Sequence, residues 1–200
     1  MNGRSGGSFV GKLFLILGLL FVPVLIVGGC AITGYNKAVG LSETVNSTWG
    51  DVDIQLQRRY DLIPNLVETV KGYAAHEGGV FTEIARSRAA YTGAATREAK
   101  VEAANALESA LSRLLVIREQ YPELKANQSF LGLQDELAGT ENRVAVARKR
   151  YNDAVGELNA YRRKFFGRIV SGWAGVEEAK YFEVAEEAKA APKVDFGKGK

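Results

Sequence analysis

The residues that could do chemistry in this chain are few. His76 is its single histidine and Cys30 its single cysteine. A Cys-His nucleophile pair would need them side by side, but Cys30 lies in an apolar N-terminal run far from His76 in sequence, so such a pair has little support. A carboxylate di-iron centre in a helical bundle takes a Glu-x-x-His motif from each of two helices, which one histidine cannot supply. No Gly-Lys-Ser/Thr phosphate loop and no Gly-x-Ser-x-Gly elbow occurs. His76 reads instead as a helix-end residue, where a cation meets the partial negative charge of the terminus. The expectation is no catalytic residue, no metal, no cofactor and no enzymatic activity.

Other residues invite a binding reading. Arg58 and Arg59 could grip a partner's carboxylate or a lipid phosphate, since a guanidinium makes paired contacts to both. A local link to Asp61, or to a glutamate on a neighbouring helix, is the simpler account. Glu141 with Arg148, and Glu68 with Lys71, fit solvated helix faces better than acid-base work. Asn65, Asn105, Asn142, Asn152 and Asn159 fall within helical patterns although asparagine is a poor interior helix former; some are expected to bond across helices and fix register.

These side chains must be positioned by helices. From Leu13 to Thr33 there are twenty-one residues without a charge. At about 1.5 Å per residue they reach roughly 30 Å, the thickness of a bilayer's hydrocarbon core. A single transmembrane helix over 13–33 is the expected reading, with Pro23 tolerated inside it; a removable export signal is the alternative. Val27-Gly28-Gly29-Cys30 resembles a lipobox, which makes Cys30 a candidate for lipidation, although an unmodified thiol is the plainer reading. Arg4 and Lys12 precede the run and only Lys37 directly follows it, so the positive-inside bias favours a cytoplasmic N-terminus and an extracytoplasmic domain. Without those two cations the 26 basic residues become 24 against 23 acidic ones, and so balanced a domain offers nucleic acid no basic footprint.

Beyond Tyr35 apolar residues recur every three or four positions. Val45, Trp49, Val52, Leu56, Tyr60, Ile63, Val67, Val70 and Ala74 form one stripe. Pro64, with Asp61 as a possible cap, predicts a kink or a restart, and Gly78-Gly79 predicts the end of the rod. A second rod starts at Phe81, loosens at Thr92-Gly93 and closes at Pro122. The third carries Phe130, Leu133, Leu137, Thr140, Val144, Ala147, Tyr151, Ala154, Leu158, Tyr161 and Phe165 at a period of 3.5, as in coiled coils. The fold class is all-α: an N-terminal transmembrane helix, then an elongated antiparallel helical bundle of three long rods with internal breaks, countable as four to five helices. The expected divisions are a basic N-terminus over 1–12, the anchor over 13–33, the bundle over 35–166 and a C-terminal tail with a short helix over 167–200.

Three blocks carry a family resemblance. They are QLQRRYDLIPNLVETVKGYAAHE at 55–77 with Tyr35-Asn36 ahead of it, YPELKANQSFLGLQDELAGTENRVAVARKRYN at 121–152, and APKVDF at 191–196. Together they resemble the bacterial LemA family across about residues 35–196. The resemblance implies a membrane anchor followed by a helical bundle, and it carries over no catalytic residue. Relatives of this kind are often encoded beside a membrane zinc peptidase or a TPM-domain protein. The chain departs from the family where a proline usually follows the last long helix; YRRKFFGRIVSGW stands there and predicts a softer break, with Tyr161 to Phe166 extending the helix. Cys30 is not a uniform family feature either.

The 55–77 stretch thus reads as a shaped joint, with Arg58, Arg59, Asp61, Pro64 and Asn65 as the candidate interaction residues. The expected function is a membrane-anchored, noncatalytic scaffold or interaction protein of the cell envelope. Its expected partners are membrane lipid and either further copies of itself or an envelope membrane protein, a membrane metallopeptidase among the candidates. The alternatives are an accessory subunit of a membrane peptidase or envelope-stress system, and a lipoprotein held through Cys30.

Overall fold

The computed structural model describes residues 6–74 and 78–183. It contains six helices: α1 (Gly6–Lys71), α2 (Gly78–Gly93), α3 (Arg97–Arg118), α4 (Pro122–Lys125), α5 (Gln128–Arg163) and α6 (Phe165–Trp173). No strand occurs among the described residues, so the chain is all-α. The apolar run and the first amphipathic rod are one helix of 66 residues.

α1 passes through both prolines. Pro64 lacks the N–H that would reach the carbonyl of Tyr60, yet it is exposed and the helix continues past it without a restart. The rod stops at Lys71, earlier than its glycine pair suggests. Tyr73 and Ala74 both donate to the carbonyl of Val70, at 3.0 and 2.9 Å, and Gly78-Gly79 opens α2. The break near Thr92-Gly93 is real: the backbone leaves the helix after Gly93 and re-enters it through Thr96, whose side-chain oxygen accepts the Ala99 N–H at 3.2 Å. The second rod ends ahead of Pro122, at Arg118, with Tyr121 held outside the helical region, and Pro122 itself occupies the first turn of α4, where its missing donor costs nothing.

The chain divides into two compact units. The larger comprises Ser47–Asp153 and Lys180–Lys200. Here α1 and α5 are antiparallel, since Trp49 meets Tyr151 and Arg59 meets Glu141. α2 and α3 are antiparallel likewise, with Glu83 bonded to Arg113. The core is formed by Leu56, Tyr60, Ile63, Ile84, Leu107 and Phe130 and their neighbours. Leu133 and Leu137 are only half-buried.

The smaller unit comprises Met1–Asn46 and Ala154–Ala179. The described side chains from Leu17 to Thr33 are exposed, apart from the half-buried Ala31, and burial begins at Gly34. Ala38 and Val45 then join Val155, Leu158, Tyr161 and Val170 in its core. α5 breaks sharply despite the absent proline: Lys164 is extended, with φ −71° and ψ 146°. A Cβ on Gly167 would run into the Tyr161 carbonyl, so glycine permits this tight turn into α6. The expected continuation of α5 to Phe166 does not occur. Gly175, at φ +63°, then ends α6 in the left-handed conformation that glycine adopts without strain, and Val176 donates to the Ser171 carbonyl at 3.0 Å.

Candidate interaction site

The two adjacent arginines have different fates. Arg58 is exposed, whereas Arg59 is buried and paired with Glu141 of α5. The Arg59 Nε has no hydrogen-bond partner among the described residues. Beside the pair lies a cavity of about 260 Å³ walled by Leu66, Leu111, Phe130 and Leu137. That volume falls below the range of drug-sized ligand sites. Glu141 already answers the guanidinium's charge, which favours a link within the bundle over a phosphate clamp. Glu141 therefore serves Arg59, while Arg148 lies over the Phe182 ring at 5.6 Å.

The rest of the stretch is at the surface. Asp61 accepts from Gln57 Nε2 at 2.9 Å, and the carbonyl of Asn65 accepts from the Thr69 hydroxyl at 2.8 Å. Pro64 is exposed on the rim of a shallow groove between α1 and α2, shared with Val67, Ile84 and Arg88. Arg58, Asp61, Pro64 and Asn65 thus share one exposed stretch of α1, with Arg59 turned inward. Cys30 is a free, exposed thiol within the bare apolar run. His76 lies outside the described residues. Among the described residues, no three of His, Cys, Asp and Glu come together as a metal would require.

A denser polar cluster gathers around Asp53, five residues before Arg58 on α1. Lys100 of α3 reaches both carboxylate oxygens of Asp53 at 2.7 Å, and the Tyr91 hydroxyl of α2 donates to Asp53 at 2.6 Å. Tyr60 stacks on Tyr91 with ring centroids 4.2 Å apart. Burial, followed by the hydrogen bond to Asp53, pushes the Tyr91 phenol far above its usual range. Burial raises Tyr60 also, opposed by the neighbouring Arg59 charge. Both phenols stay neutral near neutral pH, and the cluster pins three helices.

Three of the five asparagines hold the segment that follows α6. In the larger unit Asn152 donates to the Phe182 carbonyl at 3.1 Å and accepts its N–H at 2.8 Å, as a neighbouring strand would. Asn105 donates to the Glu183 carbonyl at 3.1 Å, and the Tyr151 hydroxyl to that of Lys180 at 2.8 Å. Phe182 is buried against Trp49, which meets Tyr151 edge-on at 5.3 Å. In the smaller unit Asn159 makes the same two-bond grip on Ala179, at 2.8 and 3.1 Å. The sequence expectation was that some of the five asparagines bond from helix to helix. Only their pairing with an aperiodic C-terminal segment could have indicated otherwise. Asn65 and Asn142 are exposed.

Comparison with known proteins gives a family match. The LemA family matches residues 48–196. Magnetosome proteins MamQ 1 and MamQ 2 of Paramagnetospirillum magneticum are each 25% identical to the chain over 175 residues, covering 74% of it and 64% of their own length. Magnetosome protein MamQ of Magnetospirillum gryphiswaldense is 23% identical over 174 residues, with the same coverage. The chain thus spans less than two thirds of these curated relatives.

Proposed function

The chain belongs to the LemA family, and from that premise we propose that it is a membrane-anchored, noncatalytic helical scaffold of the bacterial cell envelope. One observation carries this reading: a helix that is bare along an uncharged run long enough to cross a bilayer becomes a buried bundle helix from Gly34 onward. Leu19, Leu20, Val24 and Val27 are each more than 60% exposed, in a helix whose most apolar window is only 6% buried. In water so large an apolar surface is unfavourable, whereas lipid accepts it. The bundle's polar clusters are meanwhile occupied in joining helices: Asp53 with Tyr91 and Lys100, and Arg59 with Glu141.

The scarcity of cations after the span, set against Arg4 and Lys12 before it, supports a cytoplasmic N-terminus and an extracytoplasmic bundle. Further copies of the chain, or another envelope membrane protein, are the proposed partners. The exposed 58–65 face is the proposed contact, and crosslinking from Arg58→Cys in native membranes reads it. The anchor is tested by fractionation. The full chain is expected to stay with membranes through an alkaline carbonate wash and to leave them only in detergent, with the bundle cut by protease from the outer side. Release by carbonate would overturn the reading.

A further inference from the structure

α6 has the sequence FFGRIVSGW and three distinct sectors. Gly167, Val170 and Ser171 are turned into the smaller unit and buried. Phe165, Phe166, Ile169 and Trp173 fall within about 100° of arc on another side and are 86, 40, 41 and 70% exposed. Arg168, also exposed, lies beyond them, and the exposed Lys164 and Arg163, the latter 3.8 Å from the likewise exposed Glu178, precede the helix. No acidic residue occurs between Arg162 and Val176. Helices with this division of faces settle at the boundary between water and acyl chains.

The position of α6 identifies what covers the bare side. The Tyr161 hydroxyl donates to the Gly34 carbonyl at 2.9 Å, and a Cβ on Gly34 would lie 2.7 Å from the Phe166 ring. Gly34 is where the exposed part of α1 ends and burial begins. α6 is therefore fastened to the residue directly after the uncharged 13–33 run, at the depth where a bilayer's hydrocarbon gives way to headgroups. Tryptophan and other aromatics are favoured at that depth, with basic side chains reaching phosphate.

We propose that α6 is an in-plane membrane helix: its Phe165, Phe166, Ile169 and Trp173 face enters the outer edge of the acyl region of the leaflet in which the α1 span ends, with Arg163, Lys164 and Arg168 toward headgroup phosphates. This rests on the reading of residues 13–33 as a span. Both can be tested on the full chain reconstituted in vesicles of phosphatidylcholine and phosphatidylglycerol. The chain has two tryptophans, so Trp49→Phe leaves Trp173 as the sole reporter. A second variant, Trp49→Phe with Trp173→Phe and Phe21→Trp, reports on the middle of the span.

Lipids brominated near the headgroup are expected to reduce Trp173 emission at least about twofold, and lipids brominated at the chain end to reduce it less. The reporter at residue 21 should show the opposite order. If the residue-21 reporter is quenched and Trp173 is not, the in-plane helix is wrong and the anchor stands. Quenching of neither overturns both. Shielding of Trp173 from aqueous acrylamide without lipid quenching would mean that protein, such as a second copy, covers the face, and this too overturns the proposal. Ile169→Asp, which points outward and leaves the core intact, should lower the Trp173 quenching while the circular dichroism is unchanged.

Discussion

Arg59 sits where a heptad repeat would place a leucine. The buried positions of α1 include Val45, Trp49, Val52, Leu56, Arg59, Ile63, Leu66 and Val70, alternating steps of four and three throughout. A cation at such a place is tolerable only when paired, because an uncompensated buried charge costs several kcal/mol. Glu141, about a third exposed, would fare better alone. Glu141→Leu should therefore lower the unfolding free energy by roughly 2–3 kcal/mol, Arg59→Met by about 1 kcal/mol, and the double variant by less than Glu141→Leu alone. Urea unfolding of the detergent-solubilised chain, followed by circular dichroism, measures all three; simple additivity would refute the buried pair. The sequence offered a clue to Arg59. Its three-residue step from Leu56 fits the repeat as well as Tyr60 does, but an arginine beside a tyrosine does not read as core. The stripe chose Tyr60, which is buried, and Val67, which is only half-buried where the structure buries Leu66.

Among the elements, α5 was the most legible, because a period of 3.5 follows from one buried face. From Phe130 to Tyr161 the stripe lies along one helix, and its positions from Thr140 onward are buried. It fails at Phe165, since the turn at Lys164 puts that residue on α6. What periodicity could not convey was that α5 also holds an extended segment, whose partners have no repeat. Asn152 gives Phe182 two hydrogen bonds, each with a net value of about 1 kcal/mol. Asn152→Ala should therefore raise amide exchange at Phe182 by roughly tenfold or more, with α5's own amides unchanged. Equal protection at Phe182 in both proteins would show that Trp49 and Tyr151 hold the segment unaided.

For the whole molecule, the absence of charge over residues 13–33 made an apolar span legible, but not its continuity with the bundle. Tyr35-Asn36-Lys37 and the glycines at 40 and 50 look like a boundary in sequence. The helix persists through them because Ala38, Val45 and Trp49 are buried, and packing of an apolar face outweighs local propensity. The two parts of α1 thus differ in what they need: the residues after Gly34 need the other helices, whereas the described side chains from Leu17 to Cys30 are exposed. A chain without residues 1–33 should then keep the bundle's cooperative unfolding, with a stability within about 1 kcal/mol of the full chain in detergent, and should remain in solution without detergent at low concentration. Adding Gly34→Leu to it tests the junction, because the new side chain meets the Phe166 ring and the Tyr161 hydroxyl; a loss of roughly 1–3 kcal/mol is expected from such overpacking. If the shortened chain instead unfolds without cooperativity while the full chain in detergent does not, the apolar run is part of the core that folds the bundle, and its exposure in the isolated chain is not a sign of lipid.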